Sequence, residues 1–276
     1  MKKLIPILFI SLWITLPAWG WGELGHRIIA EYGTALANSK ALENCRVRPE
    51  QIVSHTNDPD KVWKNQRRKY RNESQAHFFH VSRQPKDWRT RKGSADLKEG
   101  FLVYRIVEWA DAIGPLRKDQ EWDEIAQKLY GLSHYVGDLT QPLHLHHDYD
   151  GEEAGLPNLH AQFETKMLNR YENEIRSAVR AKLESEKIPA LWSKLDLKSL
   201  IFNTAEQSYA KTPRLFEQAR PALKTSTKAK RSQGRSRENR PRFVKPLLWQ
   251  GTGELAVDQL VLAARLWAYT LNTVCK

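Results

Sequence analysis

The stretch that most constrains this chain runs from Ser133 to Glu164, SHYVGDLTQPLHLHHDYDGEEAGLPNLHAQFE. His134 and Asp138 are four residues apart in it, as are His160 and Glu164. On helices, each pair projects from one face about one turn apart. Between them Gln141-Pro142-Leu143 interrupts a helical pattern and returns His144 to the same place. Neutral imidazole and carboxylate are ligands that zinc accepts alongside thiolate. One His-x-x-x-acid pair is ordinarily just a helix-surface hydrogen bond. Two such pairs flanking a third histidine, in a chain with nine histidines, point to a metal site.

The chain opens MKKLIPILFISLWITLPAWG. Lys2 and Lys3 form a cationic start, Leu4 to Leu16 a short apolar run, and Ala18-Trp19-Gly20 supplies small residues for cleavage. This predicts a secretory signal peptide over 1–20 and a mature chain starting at Trp21. The apolar run is short for a spanning helix. The expectation is therefore a secreted or periplasmic protein with no transmembrane anchor after cleavage. The formal charge of +12 loses only two lysines with the leader. The strongly basic balance that remains suits polyanionic partners such as nucleic acid or anionic membrane. Cys45 and Cys275, the two cysteines, exclude a thiolate-rich zinc site. In an oxidising compartment they can pair if the fold brings them close. Residues 21–276 suffice for one sizeable core, and the chain reads as a single domain and a monomer.

Along the chain, His26, Ile29, Ala30, Gly33 and Ala37 lie at helical spacing. At a new terminus the α-amino group and carbonyl of Trp21 can chelate a metal in a five-membered ring; packing against the first helix is the equal alternative. Asn57-Asp58-Pro59-Asp60 is turn chemistry, with Asp58 and Asp60 both plausible ligands. Lys64 to Arg71 reads as a solvated basic face. Ala76 to Val81 reads as a short extended segment or a tight buried turn, in which His77 and His80 are not ranked by pattern. Arg83 to Lys98 reads as a surface loop. Leu102, Ile106, Trp109, Ala110 and Ile113 define a helix ending at Gly114-Pro115. Asp123 to Asp138 is another, followed after a polar loop, His146 to Pro157, by a helix capped by Asn158 and running to about Lys187. Further helices are expected over 195–219 and from Gly253 to Asn272. Residues 222–246 are basic and nearly free of large apolar side chains, so a flexible insertion is expected. It reads equally as a nucleic-acid-binding arm and as a solvated loop. No strand alternation or βαβ rhythm is visible, and the fold class is all-α.

With these residues on the page, the chain resembles the superfamily joining the S-one/P-one-type single-strand nucleases and the bacterial zinc-dependent phospholipases C. The resemblance covers most of the mature chain. It rests on W-G-x-x-G-H (Trp21 to His26), H-Y-V-G-D-L-T-Q-P-L-H (His134 to His144), N-L-H-x-x-x-E (Asn158 to Glu164) and A-R-L-W-A-Y-T-L-N (Ala264 to Asn272). It implies a mostly helical domain with three zinc ions, Zn2+. One would be held by Asp60, His77, His134 and Asp138, a second by His144, His160 and Glu164. The third would take the Trp21 amine and carbonyl, His26 and a bridging Asp138. The resemblance also implies hydrolysis of a phosphodiester by metal-activated water, with Asp60 orienting or deprotonating that water. Asn158-Leu159-His160 and the net charge are nuclease-like, which makes single-stranded DNA or RNA the expected substrate and 5′-nucleotides the product. Glu164 as last ligand, and the missing Asp-x-Gly-Gly-Asn loop, are phospholipase-like and keep phospholipid headgroups as the alternative. A non-catalytic zinc-binding interaction protein is a distant third reading. Trp63, Phe78 and Phe79 are candidates for stacking on bases.

Overall fold

The apolar stripe Ile125, Leu129, Leu132 and Val136 has to be buried on several sides at once, and the architecture follows from that. The computed structural model describes residues 21–91, 97–185, 188–224 and 242–276. The signal-peptide reading and most of the 222–246 insertion lie outside them. The chain runs through α1 (Gly22–Leu36), α2 (Ser39–Asn44), α3 (Pro49–His55), α4 (Asp58–Lys61) and α5 (Glu73–Ala76). The antiparallel α6 (Leu102–Lys118) and α7 (Trp122–Thr140) follow. Next come α8 (Leu159–Ala161), a π-helical stretch Gln162–Met167, α9 (Leu168–Arg170) and α10 (Glu172–Ser185). The described chain closes with α11 (Leu197–Tyr209), α12 (Thr212–Ala219) and α13 (Lys245–Val274). The fold is mostly helical. No helix among the described residues is long and apolar enough to cross a membrane.

The core centres on α7, which packs against α1, α6 and α13, while α1 lies along α13. Two glycines permit these close approaches. A Cβ at Gly33 would come within 2.6 Å of the Ala264 carbonyl oxygen, and one at Gly137 within 2.8 Å of the His26 ring. Cys45 and Cys275 do meet, in a disulfide with Cα atoms 5.5 Å apart and a sequence separation of 230. Closing so long a loop restricts the unfolded chain, a contribution of about 2–5 kcal/mol. Replacing both cysteines by serine should therefore lower the unfolding free energy by that amount, seen as a fall in the denaturation midpoint. An unchanged midpoint would show that the bridge adds nothing to stability.

Several expected boundaries move. The α6 helix passes through Gly114-Pro115 to Lys118 because Leu116 still packs on the core and Asp119 N–H reaches the Pro115 carbonyl. Asn158 does occupy the N-cap position of α8, but at φ 64° its side chain makes no capping bond, and the Leu159 N–H reaches the Asp150 carbonyl. The helix expected to reach Lys187 is re-phased by the π-helical stretch and broken at Tyr171. Residues 195–219 form two helices, with Pro213 opening the second. The last helix starts at Lys245, ahead of Gly253, with Pro246 in its first turn where a missing N–H costs nothing. A short antiparallel pair, β1 (Leu223–Lys224) with β2 (Arg242–Phe243), narrows the insertion to the residues between them.

Candidate metal centre

Each candidate side chain is delivered by a different constraint. The α7 spacing turns His134 and Asp138 to one side, both fully buried. At the end of α7 the Gln141 side-chain oxygen takes the Leu143 N–H, which shapes the Pro142 turn and carries His144 inward. His160 and Glu164 lie at the junction of α8 and the π-helical stretch, with Glu164 Oε2 accepting from Gln141 Nε2 at 3.3 Å. His26 comes from α1, Asp60 from α4, and His77 from the position that follows α5. Trp21 is buried just before α1; its indole N–H donates to Thr140 Oγ1 at 3.3 Å and its ring packs on Phe163.

Asp138 is the centre of this arrangement. Its Oδ2 lies 2.8 Å from His77 Nδ1 and 3.3 Å from His134 Nε2, and its Oδ1 lies 3.4 Å from His26 Nε2 and 3.5 Å from His144 Nδ1. Asp60 faces the same point, 3.6 Å from His77 Nδ1 and 3.7 Å from His134 Nε2. Potential ligand atoms gather into three groups: His26, His134 and Asp138; Asp60, His77 and His134; and His144, His160 and Glu164. In each group they lie within 4.8 Å of one another.

The hydrogen bonds behind the rings orient them. His134 Nδ1 donates to the Thr56 carbonyl at 2.8 Å, and His144 Nδ1 to the His77 carbonyl at 2.6 Å. In its neutral form each ring then carries its lone pair on Nε2. Buried atoms with no hydrogen-bond partner include both His26 nitrogens, Asp60 Oδ2, Asp138 Oδ1, His144 Nε2 and His160 Nε2. His160 Nε2 is 2.8 Å from Glu164 Oε2 but without the alignment of a hydrogen bond. Buried polar atoms left unmatched cost about 1–3 kcal/mol each. A cluster of lone pairs directed at common points is what a divalent cation satisfies, so the residues fit a metal.

The S1/P1 Nuclease family profile matches residues 21–272. The chain belongs to the S1/P1 nuclease family. No curated protein matches it. Like the family as a whole, this member is a phosphodiester hydrolase, and its three buried groups can bind metal ions.

In this S1/P1 nuclease chain the structure separates the pairs that pattern did not rank. Asp60 is buried in the cluster, whereas Asp58 pairs with His55 at the surface. His77 is in the cluster, whereas His80 pairs with Glu99 at its rim. Trp63 and Phe79 are core residues, Trp63 packed between Tyr70 and Trp109, and neither can meet a base. Phe78 alone of the three is partly exposed, stacked on His144 at 4.5 Å and beside Tyr149 at 5.3 Å. Lys64 departs from the solvated basic face: its ammonium turns inward onto Asp60 Oδ1 at 2.5 Å, one turn along. The i,i+4 spacing to Asp60 was its only sequence signal.

The electrostatics favour a loaded cluster. Burial lowers His26 and His144 to about 4 and His160 further, so all three are neutral near pH 7. Burial opposes ionisation of Asp60, but His134, His77 and Lys64 outweigh it and hold the carboxyl at about 2. His77 runs the other way: burial and Lys64 disfavour its charge, yet Asp60, Asp138 and Glu73 raise it to about 9. Burial, then the charge of Asp60, pushes Glu164 well above the usual carboxylate range. A metal held by His77 and Glu164 would therefore have to displace their protons. Affinity should keep rising with pH towards 9, whereas ordinary histidines titrating near 6.5 would level off about a unit above that. Calorimetric metal titrations in buffers of different ionisation heat read the protons released. None released at pH 7 would contradict this assignment.

Proposed function

We propose that this protein is a secreted three-zinc phosphodiesterase that cleaves single-stranded DNA or RNA to 5′-nucleotides. The observation that carries the reading is the set of unpartnered imidazole and carboxylate atoms converging around Asp138. Asp60, His77, His134 and Asp138 would hold one zinc, and His144, His160 and Glu164 a second. The Trp21 amine and carbonyl, with His26 and Asp138, would hold the third. Zinc bound there supplies positive charge opposite the phosphoryl oxygens and lowers the pKa of water at the cluster. Asp60 is the candidate catalytic residue: Lys64 holds its Oδ1, and its Oδ2 has no partner, so Oδ2 can orient water and accept its proton. Phe78 offers a ring face beside His144 on which a base can stack. Gln141 keeps Glu164 directed inward.

The test is one activity panel on purified protein lacking residues 1–20. Release of 5′-mononucleotides from single-stranded DNA or RNA, abolished by EDTA and restored by zinc, is the expected result. Production of diacylglycerol from phospholipid with nucleic acid untouched would replace this reading with a phospholipase C. Three bound zincs with neither activity would leave a non-catalytic zinc protein.

A further inference from the structure

Behind the cluster lies a carboxylate that none of the proposed ligand sets uses. Glu73 opens α5, four residues before His77, and its side chain is 2% exposed. Its Oε1 accepts the Tyr135 hydroxyl at 2.5 Å and lies 3.4 Å from His77 Nε2. Glu73 Oε2 and His77 Nε2 are both buried without a hydrogen-bond partner. The other ring nitrogen, His77 Nδ1, faces the cluster, 2.8 Å from Asp138 Oδ2 and 3.1 Å from His134 Nε2. The imidazole is thus set between two acids, one in the cluster and one behind it.

Only one nitrogen of a neutral imidazole carries the proton. If Nδ1 carries it, His77 donates to Asp138 and offers the cluster no lone pair. If Nε2 carries it, the proton lies on the Glu73 side of the ring and the Nδ1 lone pair faces inward. An ionised carboxylate has only acceptors, so Glu73 favours the second arrangement. At 3.4 Å the pair is longer than an ordinary hydrogen bond and lacks its alignment, so Glu73 acts on the ring through its charge. Tyr135 sits next to His134 on α7, is fully buried, and meets the His77 ring edge-on at 5.7 Å. Its hydroxyl bond to Glu73 ties this acid to the helix that carries two candidate ligands.

We infer that Glu73 is a positioning residue that holds the His77 proton on Nε2, so that Nδ1 is presented to a divalent metal, with Tyr135 holding Glu73 in place. The inference rests on the metal reading proposed above. Partners of this kind behind a ligating histidine are worth about 10–100-fold in metal affinity.

The experiment measures zinc affinity by competition with a chromophoric chelator, together with the melting temperature of the metal-free protein. Glu73→Gln, which keeps the shape and a weaker acceptor, should weaken one zinc by about 10-fold. Glu73→Met, which keeps the bulk alone, should weaken it towards 100-fold, and Tyr135→Phe should have a smaller effect in the same direction. A purely structural role would lower the metal-free melting temperature and leave zinc affinity unmoved, and that result overturns the inference. Should Glu73→Met fail to fold, nitrogen-detected NMR on the zinc-loaded wild type decides. A His77 proton on Nε2 supports the inference, and one on Nδ1 defeats it. Wild type that binds no zinc removes this inference along with the metal reading. Wild type that binds zinc with unchanged Glu73 variants removes only the inference.

Discussion

Asp138→Ala should abolish phosphodiester hydrolysis, with a fall of about three orders of magnitude or more. The magnitude follows from the several kcal/mol of transition-state charge stabilisation that a metal centre supplies. Four imidazoles lie within 3.5 Å of its two oxygens. Nearby charges, His134 and His144 foremost, overcome the burial that opposes ionisation and hold this carboxyl well below its usual range. Removing it leaves those rings without their common anion, and breaking a buried pair this way costs about 3–5 kcal/mol. The effect should therefore show twice, as lost activity and as lost zinc on metal analysis. Asp138→Asn keeps the volume and removes only the charge, so it separates the electrostatic part from the cavity. Activity within a few-fold of wild type in both variants would sink the three-metal scheme.

The second large effect is expected at the other end of the site. A protein produced with one extra residue before Trp21 should bind two zincs instead of three. The extra peptide bond turns the candidate amine ligand into an amide, which has no lone pair to give. The position leaves little room for adjustment: Trp21 is fully buried, its indole is fixed on Thr140, and a Cβ at Gly22 would come within 2.9 Å of Thr165 Oγ1. Metal counting by mass spectrometry under non-denaturing conditions reads the result directly. Three zincs on the extended protein would show that Trp21 contributes only packing.

The parts of the site legible in the sequence are those that one periodicity carries. His134 with Asp138, and His160 with Glu164, are each set by spacing along a single segment, and the Gln141-Pro142 break announced the return of His144. What spacing could not decide was burial. Asp58 and Asp60 share one short helix, but only Asp60 turns inward, because Asp58 is engaged by His55. The same competition separates His77 from His80, which Glu99 holds outside. Lys64 was hidden in a run of exposed cations, since nothing local distinguishes an inward-turned lysine from its neighbours. Helix ends were misread where tertiary packing outweighed a breaker, as at Pro115 and Gly253. The π-helical stretch has no sequence period of its own, which is why the break at Tyr171 was not foreseen.

The pairing of α1 with α13 has a consequence for the order of events in folding. The α6–α7 pair is local and can form early, setting His134 and Asp138 in place. The helix that carries His26 finds its long partner only in residues 245–274, at the far end of the chain. Contacts of such separation close slowly. The expected order is that the cluster is completed when the two ends of the chain meet, and a chain cut short before α13 would lose the most extensive packing partner of the first helix.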